Sequence, residues 1–302
     1  MRTRIVQTAL VLLTGAVMVS APLAAQQRLK VFISVDMEGV GGAVTDQQLG
    51  PTGFEYQRFR EFMTSEALAA IEGARAAGAT DIVVADSHGN MQNLLVDRFP
   101  ADVFVIRGPN RPLGMMHGID GSFDAAVFIG YHSGTRNLEG VRAHTFSSAR
   151  LTGVQLNGRE VSESGFNAWL AGSFGVPVVA ISGDDAAVAE LLDLVPNAAG
   201  AVVKEAIGFH AAATRTPEAS QALIREAVRT GVAQRAQIRP LRWTAPVTLD
   251  LSFKHYRAAE LLGYLPIVER TSTHSIRYQA ATIAEVARFL AFIGGYEPDI
   301  TP

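Results

Sequence analysis

Short runs of aliphatic and β-branched residues alternate along the chain with longer stretches of helical period. Residues 30–35 (KVFISV), 81–85 (DIVVA), 102–106 (DVFVI), 124–129 (DAAVFI), 177–181 (PVVAI) and 201–204 are apolar runs of strand length. Near-continuous apolar runs, without inward–outward alternation, are the pattern of strands buried on both faces. Between them, residues 54–77 carry apolar positions at helical spacing and stop before Gly78, and 163–173 and 185–192 read as further helices. Strand–helix alternation predicts an α/β fold: a mostly parallel sheet with helices on both faces.

One piece breaks the alternation. Residues 150–156 and 159–162 flank Asn157-Gly158, a hairpin-turn signal. After Pro217 a helix is predicted to about Gly231, then a proline-punctuated connector over 240–246. Residues 247–253 alternate like a half-buried strand, and helices over 256–263 and 282–292 bracket another strand at 275–279. The expected organisation is a catalytic α/β domain over 26–215 and a smaller C-terminal α+β region over 216–302 that contributes to contacts between copies.

The first 25 residues differ from the rest. Arg2 and Arg4 precede an apolar run from residue 5 to 19, and small residues at 20–25 precede Gln26-Gln27. This is the pattern of a secretory signal peptide cleaved after Ala25, which predicts an exported, periplasmic protein with no membrane attachment after cleavage. The run is shorter than the roughly 20 residues a membrane span prefers. The chain has no cysteine, so export brings no disulfides, and thiolate ligands and a cysteine nucleophile are excluded. Any metal must be held by His, Asp and Glu. With net charge −3 and no basic stripe, nucleic acid is not an expected partner.

The candidate chemistry lies at the strand ends. Asp36-Met37-Glu38-Gly39 comes directly after the first strand, Asp86-Ser87-His88 after the second and Gly130-Tyr131-His132 after the strand at 124–129. Open α/β sheets place their sites beyond the carboxyl ends of the strands, so Asp36, Glu38, His88 and His132 are expected at one edge. Glu163 comes after the hairpin and opens a helix, which can bring it to the same cleft. Two carboxylates at i, i+2 in extended chain point to one side. With two imidazoles and Glu163, the set has N and O donors enough for two divalent ions. Taken singly, each residue has an ordinary role as a turn acid, a loop histidine or a first-turn acid favoured by the helix dipole. The metal reading rests on their joint placement. His144, just before the hairpin, is a candidate for proton transfer. His117, His210, His255 and His274 have no comparable context. Asp184 and Asp185, at another strand end, are either helix-capping acids or acceptors for a substrate amine. The chain has no Walker motif, no Gly-x-Ser-x-Gly elbow and no HExxH.

These residues resemble the DppA-type D-aminopeptidase family, peptidase family M55. Ser34-Val35-Asp36-Met37-Glu38-Gly39 is similar to its opening signature. Ala85-Asp86-Ser87-His88, Gly130-Tyr131-His132, His144 and Glu163-Ser164-Gly165-Phe166-Asn167-Ala168 resemble its later motifs in the same order. Val176-Pro177-Val178-Val179, Gly183-Asp184-Asp185 and Ala201-Val202-Val203-Lys204 extend the similarity, which spans residues 30–293. The resemblance implies a two-zinc aminopeptidase acting on short peptides that contain D-amino acids. Asp36, Glu38, His88, His132 and Glu163 match the family's ligands, with Asp36 bridging, and His144 matches its catalytic histidine. It also implies a ring-shaped decamer with active sites facing an inner channel. The family's founding member is cytoplasmic, whereas this chain opens with an export signal, and the neighbours of His144 differ. The alternatives are a metal-dependent amidase or esterase acting on other acyl compounds, and a non-catalytic solute-binding protein.

Overall fold

The buried runs pair as a seven-stranded sheet. In the computed structural model, which describes residues 28–243 and 246–296, the order is β3 (Phe104–Ile106), β2 (Asp81–Asp86), β1 (Lys30–Val35), β4 (Ala125–Tyr131), β7 (Val178–Asp184), β8 (Ala199–Gly208) and β9 (Ala211–Thr214). All neighbours are parallel except β8 and β9. The leader expected over residues 1–25 lies outside the described residues.

From β1 the chain winds outward through β2 to β3, then returns to β4 and proceeds the other way through β7 to β8. The order therefore reverses between β1 and β4, which is where open α/β sheets form their crevice. Right-handed crossovers running in opposite directions put their helices on opposite faces. Accordingly, α2 (Tyr56–Ala76) packs with α5 (Pro217–Ala233), whereas α3 (Glu163–Ser173) packs with α4 (Asp185–Leu194).

A second, antiparallel sheet has the order β11 (Val268–Arg270), β12 (Ser275–Ala280), β10 (Val247–Phe253), β5 (Leu151–Leu156) and β6 (Arg159–Glu160). Asn157 and Gly158 join β5 to β6 with φ of 47° and 79°, the left-handed pair that a two-residue hairpin turn requires. α6 (Tyr256–Leu262) and α7 (Ile283–Gly295) pack against this sheet, and α7 also meets α3.

The boundary expected at 215/216 does not separate the sheets. β5 and β6 pair with C-terminal β10, and α5 lies on the large sheet. Ile224, Val228 and Val232 form the buried stripe of α5, and Gly73 of α2 approaches so closely that a Cβ there would meet the Arg225 carbonyl at 2.4 Å. The strand expected at 201–204 extends to Gly208 and turns back as β9. Its outer half is largely exposed, so no apolar run marks it. β11 has only Val268 buried and gives no strand signal.

Candidate metal centre and active site

β2, β1 and β4 are adjacent, so the residues after them meet at the switch point. Asp36 directly succeeds β1 and its N–H donates to the Ile129 carbonyl at 2.8 Å. Gly39 N–H donates to the Gly130 carbonyl at 2.7 Å. A Cβ on Gly39 would lie 1.9 Å from the Tyr131 carbonyl oxygen, and one on Gly130 would lie 2.3 Å from the Asp36 carbonyl oxygen. The two loops touch backbone to backbone, which only glycine permits. Glu163 is held from the other side at the first turn of α3, where Ser162 caps by accepting from Gly165 N–H.

All five expected ligands are buried, and His144 is half-buried beside them. Asp36 lies at the middle. Its Oδ1 is 3.3 Å from His88 Nδ1, and its Oδ2 is 3.3 Å from His132 Nε2. Glu38 Oε2 is 2.7 Å from His88 Nδ1, and Glu163 Oε1 is 3.5 Å from His132 Nε2. Asp36, Glu38 and His88 thus form one group with converging ligand atoms, Asp36, His132 and Glu163 form a second, and Glu38, His132 and His144 form a third. Asp36 belongs to the first two, one oxygen toward each. His144 Nε2 stands further off, 3.9 Å from Glu38 Oε1 and 3.8 Å from Glu163 Oε1. Its ring stacks on that of His132 with centroids 4.0 Å apart.

Each imidazole is oriented from behind. His88 Nε2 contacts the Leu49 carbonyl at 2.7 Å, His132 Nδ1 the Ser133 carbonyl at 3.0 Å, and His144 Nδ1 the Arg142 carbonyl at 2.8 Å. A carbonyl only accepts, so the nitrogen facing it carries the proton. His88 Nδ1, His132 Nε2 and His144 Nε2 therefore turn toward the carboxylates, and each would give its lone pair to a cation seated there. This outer support is what metal-ligating histidines require.

The electrostatics agree. Burial raises the Asp36 carboxyl, and the Glu38 charge raises it further. Burial also opposes the charge of Glu38, but His88 outweighs it and holds this carboxyl well below its usual range. Glu163 is likewise lowered, burial being overcome by His132. Burial works against protonated His88 and His132, yet Glu38 and Glu163 respectively raise them well above the usual histidine range. The centre is thus an acidic cluster that retains protons in the absence of a larger positive charge. Asp36 Oδ2 and His132 Nε2 face each other at 3.3 Å but are buried without a well-aligned hydrogen bond, which costs free energy unless a cation sits between them. The donor set, three carboxylates and histidine nitrogens, suits divalent ions of the zinc type.

Around this centre lies a cleft of about 380 Å³ whose outer wall includes Leu290, Ala291 and Gly294 of α7. The His144 loop is strained: Arg142 and Phe146 have φ of 56° and 61°, a conformation that non-glycine residues adopt only when surroundings enforce it. Buried Arg142 contacts Asp46 and His210 Nε2, and its N–H donates to the Phe209 carbonyl at 3.0 Å. Phe146 N–H donates to Glu163 Oε1 at 2.6 Å. The turn between β8 and β9 thus secures the His144 loop, which gives His210 a role that its sequence context lacked.

Asp86 caps no helix. Its carboxylate accepts from the N–H groups of Asn93 and Leu94 and from the Asn93 amide, bracing the loop that carries His88. Asp184 caps α4 through Ala187 N–H and also accepts from Val141 N–H at 2.7 Å. Asp185 accepts from Ala206 N–H. Both acids are engaged in structure and neither lines the cleft.

The family model for D-aminopeptidases, Peptidase_M55, matches residues 29–292. A D-aminopeptidase of Bacillus subtilis (strain 168) is 33% identical over 261 residues, covering 85% of this chain and 93% of that protein. Among solved structures, the Zn-dependent D-aminopeptidase DppA from Bacillus subtilis, described as a self-compartmentalizing protease, matches with a TM-score of 0.83 and 32% identity. That match covers 88% of this chain and 96% of the other.

Proposed function

Because the chain belongs to the D-aminopeptidase family of metallopeptidases, family M55, we propose that it releases N-terminal residues from short peptides containing D-amino acids at a centre of two zinc ions. The observation that carries this reading is Asp36, whose two oxygens face His88 and His132 in two separate donor groups. Asp36, Glu38 and His88 would hold one ion, and Asp36, His132 and Glu163 the other. When bound, the ions supply Lewis acidity that polarises the scissile carbonyl and lowers the pKa of an attacking water.

The chain's own residues do the rest. His144, with Nδ1–H fixed on the Arg142 carbonyl, presents Nε2 to the cleft. There it takes a proton from the attacking water and delivers it to the departing amine. His144 is the most exposed of the three histidines, which suits exchange of a proton with substrate, and the zinc content of a His144 variant separates this task from ligation.

Export to the periplasm after cleavage behind Ala25 would place the enzyme where D-Ala-containing cell-wall fragments occur. N-terminal sequencing of protein from periplasmic and cytoplasmic fractions tests this. A closed homo-oligomer, a decamer in the family's pattern, would enclose the clefts, and light scattering gives the subunit number. The activity is tested with a panel of D- and L-aminoacyl p-nitroanilides beside simple esters, using zinc-loaded protein. Turnover of D-aminoacyl substrates that falls by about 10²–10⁴-fold in His144→Ala is the expected result. Preferential cleavage of esters without an amine points to an acyl esterase instead, and tight binding of intact peptide without product points to a solute-binding protein.

A further inference from the structure

The centre accounts for the carbonyl and the water but leaves the peptide's free amine without a partner. Asp184 and Asp185 are engaged elsewhere. Asn167 is differently placed. It lies four residues after Glu163 on α3, so the two side chains are neighbours on one helix face. It is 1% exposed, yet it lines the cleft.

The orientation of its amide is fixed. Nδ2 donates to Tyr131 Oη at 3.0 Å and to Met115 Sδ at 3.2 Å. A thioether sulfur only accepts, so the NH₂ group belongs on that side and Oδ1 faces away from it. Behind the amide runs a buried chain. Tyr131 Oη meets Ser34 Oγ at 2.7 Å, Ser34 Oγ meets Ser87 Oγ at 2.8 Å, and Ser87 Oγ donates to the Met115 carbonyl at 3.1 Å. With Nδ2 held by this chain, Oδ1 is left with no hydrogen-bond partner among the described residues, although it is not one of the sealed, unpaired polar atoms. It is an unpaired acceptor on a residue that lines the same cleft as Asp36, Glu38 and Glu163.

We propose that Asn167 Oδ1 receives the α-ammonium of the substrate. This rests on the aminopeptidase reading and names the group that makes the site require a free N-terminus. An α-amine is two bonds from the scissile carbonyl carbon. A carbonyl seated at the centre therefore carries its ammonium within reach of the residue one helical turn beyond Glu163. A neutral amide accepts from an ammonium without adding a charged ligand that would compete for the ions. The chain through Tyr131, Ser34 and Ser87 sets the amide before substrate arrives, which lowers the ordering cost of binding.

The experiment is a substrate-by-variant cycle on zinc-loaded protein, with metal content measured for each variant. It compares kcat/KM for D-alanyl p-nitroanilide and for its desamino analogue, propionyl p-nitroanilide. The wild type is expected to prefer the amine-bearing substrate. Asn167→Leu should lower kcat/KM for that substrate by roughly ten- to a hundredfold, the range for a hydrogen bond to a charged group. It should leave the desamino substrate nearly unchanged and so collapse the preference. Asn167→Asp is near-isosteric and retains an acceptor, and its preference is compared at wild-type metal content because its charge can compete for the ions; it should keep the preference. Tyr131→Phe removes the partner that presets the amide and spares Oδ1, so it should weaken the preference by clearly less than Asn167→Leu does. Full preference in Asn167→Leu, or its loss in Asn167→Asp at wild-type metal content, overturns the assignment. A collapse in Tyr131→Phe equal to that in Asn167→Leu also overturns it, by showing that packing and not the carbonyl sets the preference. A wild type indifferent to the amine contradicts the aminopeptidase reading itself, a result distinct from the other three.

Discussion

Gly39→Ala isolates the backbone contact that holds the centre together. Gly39 does not occupy the left-handed region, so alanine is conformationally permitted and the cost is steric. The new Cβ would lie 1.9 Å from the Tyr131 carbonyl oxygen, 2.5 Å from the Gly130 carbonyl carbon and 2.6 Å from its oxygen. All three are backbone atoms of the β4 end and cannot rotate away. Restoring even a 3.0 Å contact requires a shift of about 1.1 Å, the difference between 3.0 and 1.9 Å. That shift falls on the residue directly after Glu38 and would break the 2.7 Å approach of Glu38 to His88. Overpacking of this kind costs about 1–3 kcal/mol. At roughly 2–4 °C per kcal/mol for a protein of this size, Tm should fall by about 2–12 °C. A displacement near 1 Å at reacting groups costs about a hundredfold in turnover. The assay pairs thermal unfolding with kcat and bound metal, using Gly50→Ala as control. Gly50 is extended, with φ −139°, and has nothing near its Cβ position, so it should stay within about 0.5 kcal/mol of wild type. Native Tm, metal content and turnover in Gly39→Ala would refute the reasoning.

His144→Ala should lower kcat by about 10²–10⁴-fold, the range for loss of a positioned proton-transfer group, while bound zinc stays unchanged; loss of zinc in this variant would instead make His144 a ligand. Ile224→Ala should destabilise the whole protein by about 2–5 kcal/mol in a single transition, because α5 is part of the large-sheet core; a separate early transition for the C-terminal region would contradict this. In the metal-free protein, His88 and His132 are raised above their unfolded pKa. Their contribution to stability is full below about pH 6.5, the unfolded histidine value, and is lost as pH rises through the folded values. The metal-free Tm should therefore decline as pH rises above neutrality more steeply than the zinc-loaded Tm, where cations have replaced those protons; parallel curves would argue against metal binding at these histidines.

The large sheet was legible because its strands are buried on both faces, so Val31-Phe32-Ile33 and Ala125-Ala126-Val127 stand out as apolar runs. The ligand candidates were legible for a topological reason: residues after adjacent parallel strands must meet, whichever loops carry them. Glu163 was visible as the acid that comes after the hairpin and opens a helix. The features that escaped detection depend on backbone geometry or on long-range packing. The carbonyls of Leu49, Ser133 and Arg142 orient the histidines, and a carbonyl is present in every residue. The left-handed conformations of Arg142 and Phe146 have no glycine to announce them. β9 and the outer half of β8 are largely exposed, and α5 returns to the large sheet because its stripe matches α2, a pairing that local periodicity does not encode. Asn167 becomes informative only once Met115 and Tyr131 are seen to hold its NH₂ group.

The most direct test of the shared-carboxylate centre is metal content per subunit, by elemental analysis of zinc-loaded wild type and Asp36→Ala. The wild type should hold about two ions per subunit. Because Asp36 belongs to both donor groups, its loss should bring the content below one ion and abolish turnover with the fold intact by circular dichroism. A wild type that takes up no zinc, or an Asp36→Ala protein that keeps both ions and full turnover, would contradict the two-metal mechanism.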